Sequence, residues 1–225
     1  DGETPLHGNG ALSVDDEGYA LGAASDDFKF AAAVALTPLE RSIEDNALRY
    51  RHVSVEMDRR TRTATFTVYA PEGEQPRHVD AIEAAGADWY PLALARELDD
   101  AILSMRTNEL DLGTWLIKTT GDSDAVLAMD DTLLANRDHW LVRETIGLLR
   151  RSLSRLDLSA RSLFALIEEG SCFAGTFLEL ALACDRSYHL ALPDDAAAAP
   201  GIVVNDVNFG LYPMITEQSR LERRF

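Results

Sequence analysis

One stretch of the sequence joins a turn to an apolar helix that carries a single acid, a pattern typical of a site that moves protons. The turn is Glu168–Thr176 and the predicted helix is Thr176–Cys184, in which Glu179 is the one acidic residue. Backbone N–H groups at a helix N-terminus lack partners within the helix and favour negative charge. The start of this helix could therefore bind an oxyanion or a phosphate close to Glu179.

Two effects act on the pKa of Glu179. The helix dipole lowers it by less than about one unit, since the effect is worth roughly 0.3–1 kcal/mol. Full burial would raise it by up to about 3–5 units. An inward-facing Glu179 is therefore a carboxylic acid suited to proton transfer near neutral pH. The alternatives are that Glu179 faces solvent or accepts hydrogen bonds from amides of the first helical turn.

The elements that would position this stretch alternate between strands and helices. Alternating apolar residues over 51–57 and 63–69 predict a β-hairpin, and short apolar runs predict buried strands over 114–119 and 163–167. The remaining predicted elements are helices over 91–108, 138–156 and 176–184, strands over 186–192 and 201–204, and a loop over 121–131. Strands separated by helices predict an α/β domain with parallel strand pairing.

Charge and composition exclude several classes of protein. The chain has 21 basic and 38 acidic residues, for a net charge of −17, so nucleic acid is excluded as a partner because phosphate binding requires a basic face. No apolar run approaches the roughly 20 residues that a membrane-spanning helix needs. Cys172 and Cys184 predict reduced thiols and a cytoplasmic location. The five histidines lack metal-ligand spacing, so no metal site is expected.

The first part of the chain differs from the rest. Residues 1–46 contain ten acidic and two basic residues and several glycines, which predicts a solvated linker or arm. A short helix is expected near Phe28–Leu36. The ordered domain is predicted over 47–225.

Two blocks of the sequence resemble signature segments of the enoyl-CoA hydratase/isomerase, or crotonase, superfamily. Gly170–Asp185 resembles the family's glycine-rich turn followed by a helix reading Glu-Leu-Ala-x-x-Cys-Asp. Val207–Pro213 and Gln218–Leu221 resemble its later Gly-x-x-Pro and Gln-Arg-Leu segments. The resemblance covers about residues 48–225 and implies an α/β fold of the crotonase type, a spiral of ββα units.

The resemblance also implies an acyl-CoA substrate whose thioester carbonyl is polarised by two backbone N–H groups, which form an oxyanion hole. One donor would be Thr176, or Gly175 after a one-residue shift. The other would be Asp130, in the predicted loop. Phe177 is expected to crowd the turn, where the family has glycine.

The family's two acids correspond by resemblance to Glu179 and Asp206, with Asn205 as the alternative to Asp206 after a one-residue shift. Such a pair would move protons or activate water. No cofactor is expected besides the coenzyme A of the substrate.

Further segments, 98–108, 139–151 and 161–176, resemble a two-module member of the family that opens an oxygenated aromatic ring by hydrolysis, releasing formate and a semialdehyde acyl-CoA. This implies an N-terminal crotonase-like half in the same polypeptide, homo-oligomers, and a domain truncated before its C-terminal helices. Two alternatives remain open. One is a degenerate half that serves as a structural or dimerisation partner, and the other is an ordinary enoyl-CoA hydratase or isomerase.

Overall fold

The computed structural model describes residues 34–192 and 199–225, together with the backbone of two short strands near the start of the chain. These strands, β1 (Ser13–Val14) and β2 (Ala20–Leu21), pair antiparallel and belong to a unit over residues 1–35. A second unit covers Leu36–Phe225. The predicted arm and its helix near Phe28–Leu36 lie largely outside the described residues, so the domain division stays a prediction.

A seven-stranded sheet forms the centre of the second unit. Its strands follow in spatial order as β3 (Ser42–Glu44), β4 (Ala47–Arg49), β5 (Val53–Asp58), β6 (Thr63–Tyr69), β7 (Thr114–Thr120), β8 (Ser162–Ile167) and β9 (Arg186–His189). Strands β3 to β6 pair antiparallel, and β6 to β9 pair parallel. The predicted hairpin, the buried strands and the parallel pairing are confirmed. Strand β3 lies inside the predicted arm, where the turn Asp45–Asn46 folds it back onto β4.

Alternation along the central strands explains which side chains form the core. In β6, Ala64, Phe66 and Val68 face inward, while the threonines between them are partly exposed. Strand β7 repeats this pattern with Trp115 and Ile117. Because successive side chains of a strand point to opposite faces, these residues place one continuous apolar layer on the same side of the sheet.

Helices cover the sheet and connect its parallel strands. They are α1 (Val79–Ala85), α2 (Tyr90–Asn108), α3 (Ser123–Ala135), α4 (Trp140–Asp157), α5 (Gly175–Leu182) and α6 (Arg220–Arg224). Pro91 lies in the first turn of α2, where a missing N–H costs nothing. The helices predicted over 91–108, 138–156 and 176–184 are confirmed, and so is the α/β class. Within the described residues, none of the helices combines the length and apolar character that crossing a membrane requires.

Two predicted elements are wrong. The segment 121–131, predicted as a loop, is mostly the helix α3, because Asp122 accepts a hydrogen bond from the N–H of Asp124 and so caps a run of good helix formers. The segment 201–204, predicted as a strand, is extended but forms a single parallel bridge, between Val203 and Ala174. These corrections matter because α3 and Val203 both contact the start of α5.

Gly121 links β7 to α3 and packs closely against Ala70, so a substitution at Gly121 tests this packing. Its φ is +132°, and an added Cβ would lie 2.5 Å from the Cβ of Ala70. We expect Gly121→Ala to lower the free energy of unfolding by about 1–3 kcal/mol, from backbone strain and overpacking. Urea denaturation measures the change.

The matched control is Gly147→Ala in α4, where an added Cβ has no neighbour within 4 Å. This change should stabilise the protein by about 0.5–1 kcal/mol, because alanine loses less backbone entropy in a helix. Equal effects of the two substitutions would contradict the described packing at Gly121.

Candidate functional site

The start of α5 is the place where the predicted site residues meet. The helix follows β8 through a turn and begins at Gly175, after Ala174 in extended conformation. The N–H of Gly175 donates to the carbonyl of Val203 at 3.0 Å. The end of the turn and most of the helix, residues 172–181, are buried, so the polar groups at this helix end must find partners within the protein.

Asp130 of α3 is the partner of Thr176 at this helix end. Its side chain is completely buried, and its Oδ2 accepts hydrogen bonds from the N–H of Thr176 and from Nδ2 of Asn205, each at 3.0 Å. The hydroxyl of Thr176 donates to the other oxygen, Oδ1. A carboxylate thus occupies the end of α5 that favours negative charge.

Gly175 makes this contact possible. Its φ of +44° lies in the left-handed region, and a Cβ at this position would overlap Oδ2 of Asp130. Only glycine lets the carboxylate approach the helix backbone this closely. The glycine of the turn therefore accommodates a side chain of the same protein.

The environment of Asp130 shifts its proton equilibrium. Burial raises the pKa of Asp130 from 3.8 to about 6, although the hydrogen bonds from Thr176 and Asn205 act in the opposite direction. The desolvation of the charged form outweighs the donors that stabilise it. Asp130 therefore titrates within the mildly acidic range.

Glu179, one turn further along α5, lies in a second buried cluster. Its Oε1 accepts from Nδ2 of Asn208 at 2.7 Å, and its Oε2 accepts from Nη1 of Arg220 at 3.1 Å. Arg220 also binds both carboxylate oxygens of Asp157, at 3.0 Å and 2.6 Å, in a bidentate pair. The Glu179 side chain is 2% exposed, so solvent has almost no access to it.

Burial decides the direction of the pKa shift at Glu179 as well. Desolvation raises the pKa of Glu179, while the hydrogen bond from Asn208 and the charge of Arg220 lower it. Of the alternatives that the sequence left open, the structure shows the inward-facing one, and burial there raises the pKa of Glu179. Its neighbours are a guanidinium and an amide, and both of its oxygens already accept hydrogen bonds.

Tyr212 and Asn208 join the two clusters into one network. The Tyr212 hydroxyl lies 3.0 Å from Oγ1 of Thr176. The backbone carbonyl of Tyr212 accepts a hydrogen bond from Nη1 of Arg220 at 2.9 Å. Nδ2 of Asn208 donates to the carbonyl of Gly175 at 2.9 Å in addition to Glu179. We call the resulting group the α5 network; it comprises Asp130, Asp157, Thr176, Glu179, Asn205, Asn208, Tyr212 and Arg220.

The predicted oxyanion hole is not assembled in this structure. The N–H of Thr176 donates to Asp130, and the N–H of Gly175 donates to Val203. Asp130, predicted as the other backbone donor, lies inside α3 rather than in a loop, where its N–H belongs to the helical hydrogen bonding. What Asp130 contributes to the site is its side chain.

The remaining site predictions concern Asp206, its alternative Asn205, and Phe177. Asp206 is exposed at the start of a short 3₁₀ turn over Asp206–Phe209. The hydrogen-bond partners of Glu179 are Asn208 and Arg220 rather than Asp206. The catalytic role of Asp206 stays a prediction. Asn205, the alternative to Asp206, reaches Asp130. Phe177 does not crowd the turn, because its buried side chain lines a small void in the core with leucines of α2 and α4.

Four members of the α5 network were not predicted as site residues: Asp157, Asn208, Tyr212 and Arg220. The sequence carries a local signal for Asn208, which forms a reciprocal capping box with Asn205. Arg220 follows Ser219, which caps α6 with Glu222 in the same way. Nothing local indicates that either residue reaches Glu179.

A cavity of about 270 Å³ opens at the carboxyl end of β6, the edge of the sheet from which α5 also starts. Its lining includes Arg51, His52, Tyr69 and Tyr90. Burial and the charge of Arg51 lower the pKa of His52 to about 4, so the imidazole is neutral at pH 7. In the described parts of the chain, no three side chains of metal-binding type cluster together.

Comparisons with protein-family models and with solved structures give at most a partial likeness. No protein-family model matches the chain. Two solved structures show partial likeness, each with a TM-score of 0.39. An enoyl-CoA hydratase from Geobacillus kaustophilus is 16% identical and covers 67% of this chain and 52% of its own. DspI of Pseudomonas aeruginosa is 19% identical, with coverages of 71% and 58%. At these scores the two likenesses carry no conclusion.

The sequence relationship is much stronger. Benzoyl-CoA-dihydrodiol lyase of Aromatoleum evansii is 52% identical over 207 residues, which is 92% of this chain. Over most of its length the chain is therefore similar to one part of benzoyl-CoA-dihydrodiol lyase. It spans 37% of the length of that relative, little more than a third.

The ion pairs of Arg220 provide a stability test of the α5 network. Replacing Arg220 by methionine leaves two buried carboxylates, Glu179 and Asp157, without their cation. We expect Arg220→Met to lower the free energy of unfolding by about 3–5 kcal/mol, as measured by urea denaturation.

The control is Arg143→Met, because Arg143 forms an exposed ion pair with Glu144. That pair should contribute no more than about 0–1 kcal/mol. Similar losses in both variants would mean that the buried cluster does not hold α5 in place.

The raised pKa of Asp130 predicts a pH dependence of stability. Between about pH 4 and 6 the folded protein keeps a proton on Asp130 that the unfolded chain has lost, so this group's contribution falls as pH rises through that window. Two pKa units correspond to about 3 kcal/mol. Asp130→Asn lacks this titration, so the wild type should lose about that much relative to the variant between pH 4 and 7.

Urea denaturation of both proteins at several pH values measures this difference. Glu109→Gln serves as a control of opposite sign, because the hydrogen bond from Arg59 lowers the pKa of Glu109. There the wild type should gain stability relative to the variant as pH rises through the range just below 4.5, the ordinary pKa of the glutamate. A difference between wild type and Asp130→Asn that stays constant across the window would show that Asp130 is not desolvated.

Proposed function

We propose that this chain is one module of a lyase that opens the oxygenated ring of a benzoyl-CoA derivative. The observation that carries the proposal is the 52% identity with benzoyl-CoA-dihydrodiol lyase over 92% of the chain. The reaction is a hydrolytic cleavage of the dihydrodiol or epoxide of benzoyl-CoA. Its products are formate and a semialdehyde acyl-CoA, and the thioester carbonyl acts as the electron sink.

The same proposal extends to partners and setting. Because the chain spans 37% of its relative, a further, N-terminal crotonase-like half of the same polypeptide is the proposed partner, within a homo-oligomer. The coenzyme A of the substrate is the only cofactor that the reaction requires. We place the enzyme in the bacterial cytoplasm, in the degradation of benzoate and other aromatic compounds.

Within this lyase, one role for the module is direct catalysis. Glu179 would move a proton, Asp206 would help to activate water, and amides at the start of α5 would polarise the thioester. The raised pKa of Glu179 supports this role. For the amides to act, Asp130 would have to leave Thr176, and Val203 would have to leave Gly175.

The second role is that of a companion module, which supports a catalytic half through its fold. A specific observation favours it: the N–H groups of Gly175 and Thr176 and both oxygens of Glu179 have partners inside the protein. A thioester at this helix would have to displace a buried carboxylate. The geometry therefore favours the companion role for the α5 network.

Turnover by the intact protein tests both the lyase activity and the companion role of this module. Wild-type enzyme should convert oxygenated benzoyl-CoA and release formate; failure to do so would contradict the lyase assignment. For Glu179→Gln we expect turnover per folded molecule within about tenfold of wild type, together with a lower melting temperature. A general acid or base would instead contribute roughly 10²- to 10⁴-fold.

Glu97→Gln is the matched control, because Glu97 is a buried carboxylate of α2 that accepts from the N–H of His52. It separates the effect of neutralising a buried acid from an effect specific to α5. A 10²-fold loss in Glu179→Gln alone, with its melting temperature unchanged, would overturn the companion role and establish Glu179 as catalytic.

A further inference from the structure

We propose that Asp130 is a built-in anion that fills the position at the start of α5 where an external acyl or carboxylate oxygen would otherwise bind. The inference gives a physical reason for the companion role. The conclusion that Asp130 keeps an acyl-CoA away from α5 rests on the proposed function. The occupancy itself depends only on the contacts of this chain.

The first support is the number and origin of the donors. Three hydrogen bonds converge on the two oxygens of Asp130: two from Thr176, through its N–H and its hydroxyl, and one from the amide of Asn205. The donors come from α5 and from the segment that precedes the 3₁₀ turn, while the carboxylate comes from α3. A set of preorganised donors around one buried anion is the arrangement that stabilises an oxyanion in an enzyme.

The second support is the shape of the site. Gly175 has no side chain at the point where Oδ2 of Asp130 lies, so any Cβ there would overlap the carboxylate. Asp130 is completely buried, so no solvent-filled space separates it from the helix. The carboxylate of Asp130 therefore occupies the space beside Gly175.

The third support is the polar lining behind the carboxylate. The hydroxyl of Tyr212 contacts Oγ1 of Thr176, and the Thr176 hydroxyl is thereby held between Tyr212 and Asp130. Asn205 is fixed in turn by its capping box with Asn208. The Thr176 hydroxyl and the Asn205 side chain are thus also held by contacts that do not involve Asp130.

Formate provides the test, because it has the size and charge of the group that Asp130→Ala removes. We expect the intact Asp130→Ala protein to melt at a lower temperature than wild type in sodium chloride. Sodium formate at equal ionic strength should raise its melting temperature, by about 3–5 °C for each tenfold increase above the dissociation constant of formate. The gain in formate over chloride should be smaller in wild type, where any gain reflects formate bound elsewhere as a product of the proposed reaction.

Asp130→Asn is the matched control. Its amide fills the same volume, so its gain in formate over chloride should be no larger than that of wild type. If formate acts equally on wild type and all variants, or has no effect on Asp130→Ala, the inference is overturned.

The alanine variant could fail to fold in chloride. Its refolding from urea is then compared in the two salts. Recovery of a cooperative unfolding transition in formate alone supports the inference, and failure in both salts overturns it. Because this readout is stability, its failure is distinguishable from a failure of the lyase assignment, which turnover of wild-type enzyme decides.

Discussion

The burial of charge around α5 is the constraint on which the rest of the structure depends. Moving a carboxylate or a guanidinium out of water costs several kcal/mol per ion, and only well-placed partners offset that cost. Asp157, Glu179 and Arg220 are nearly inaccessible to solvent, and Asp130 is fully buried. Helices α3, α4, α5 and α6 therefore have to hold fixed positions relative to one another, since a shift of any one of them would leave a buried charge without its partner.

This constraint explains why the start of α5 differs from an open anion site. A helix end that binds a substrate oxygen must keep its N–H groups free until the substrate arrives. Here Gly175 and Thr176 donate to Val203 and Asp130 instead, so the helix dipole stabilises a charge that belongs to the protein. The arrangement gains stability from donors that would otherwise serve binding, and it links the position of α5 to the protonation of one side chain.

Local patterns in the sequence predicted the elements whose stability is local or whose faces are regular. The alternation in β5 and β6, the apolar spacing in α2 and α4, and the short runs of β7 and β8 all correspond to observed elements. Helix α3 was missed because its beginning depends on Asp122, a single capping residue beside Gly121. The α5 network could not be predicted, since Asp130 and Asn205 are 75 residues apart and Asp157 and Arg220 are 63 apart. Contacts over such distances leave no periodic signal in the chain.

The family signature and the geometry of this chain bear on different questions. The Glu-Leu-Ala-x-x-Cys-Asp pattern requires an apolar helix with one inward acid, and α5 satisfies that requirement. It does not specify what the acid faces. A proton-transfer acid needs an oxygen that can reach the reacting group, whereas Asn208 and Arg220 already donate to both oxygens of Glu179. An acid held in this way stabilises the cation beside it, and the sequence pattern alone does not distinguish that contribution from catalysis.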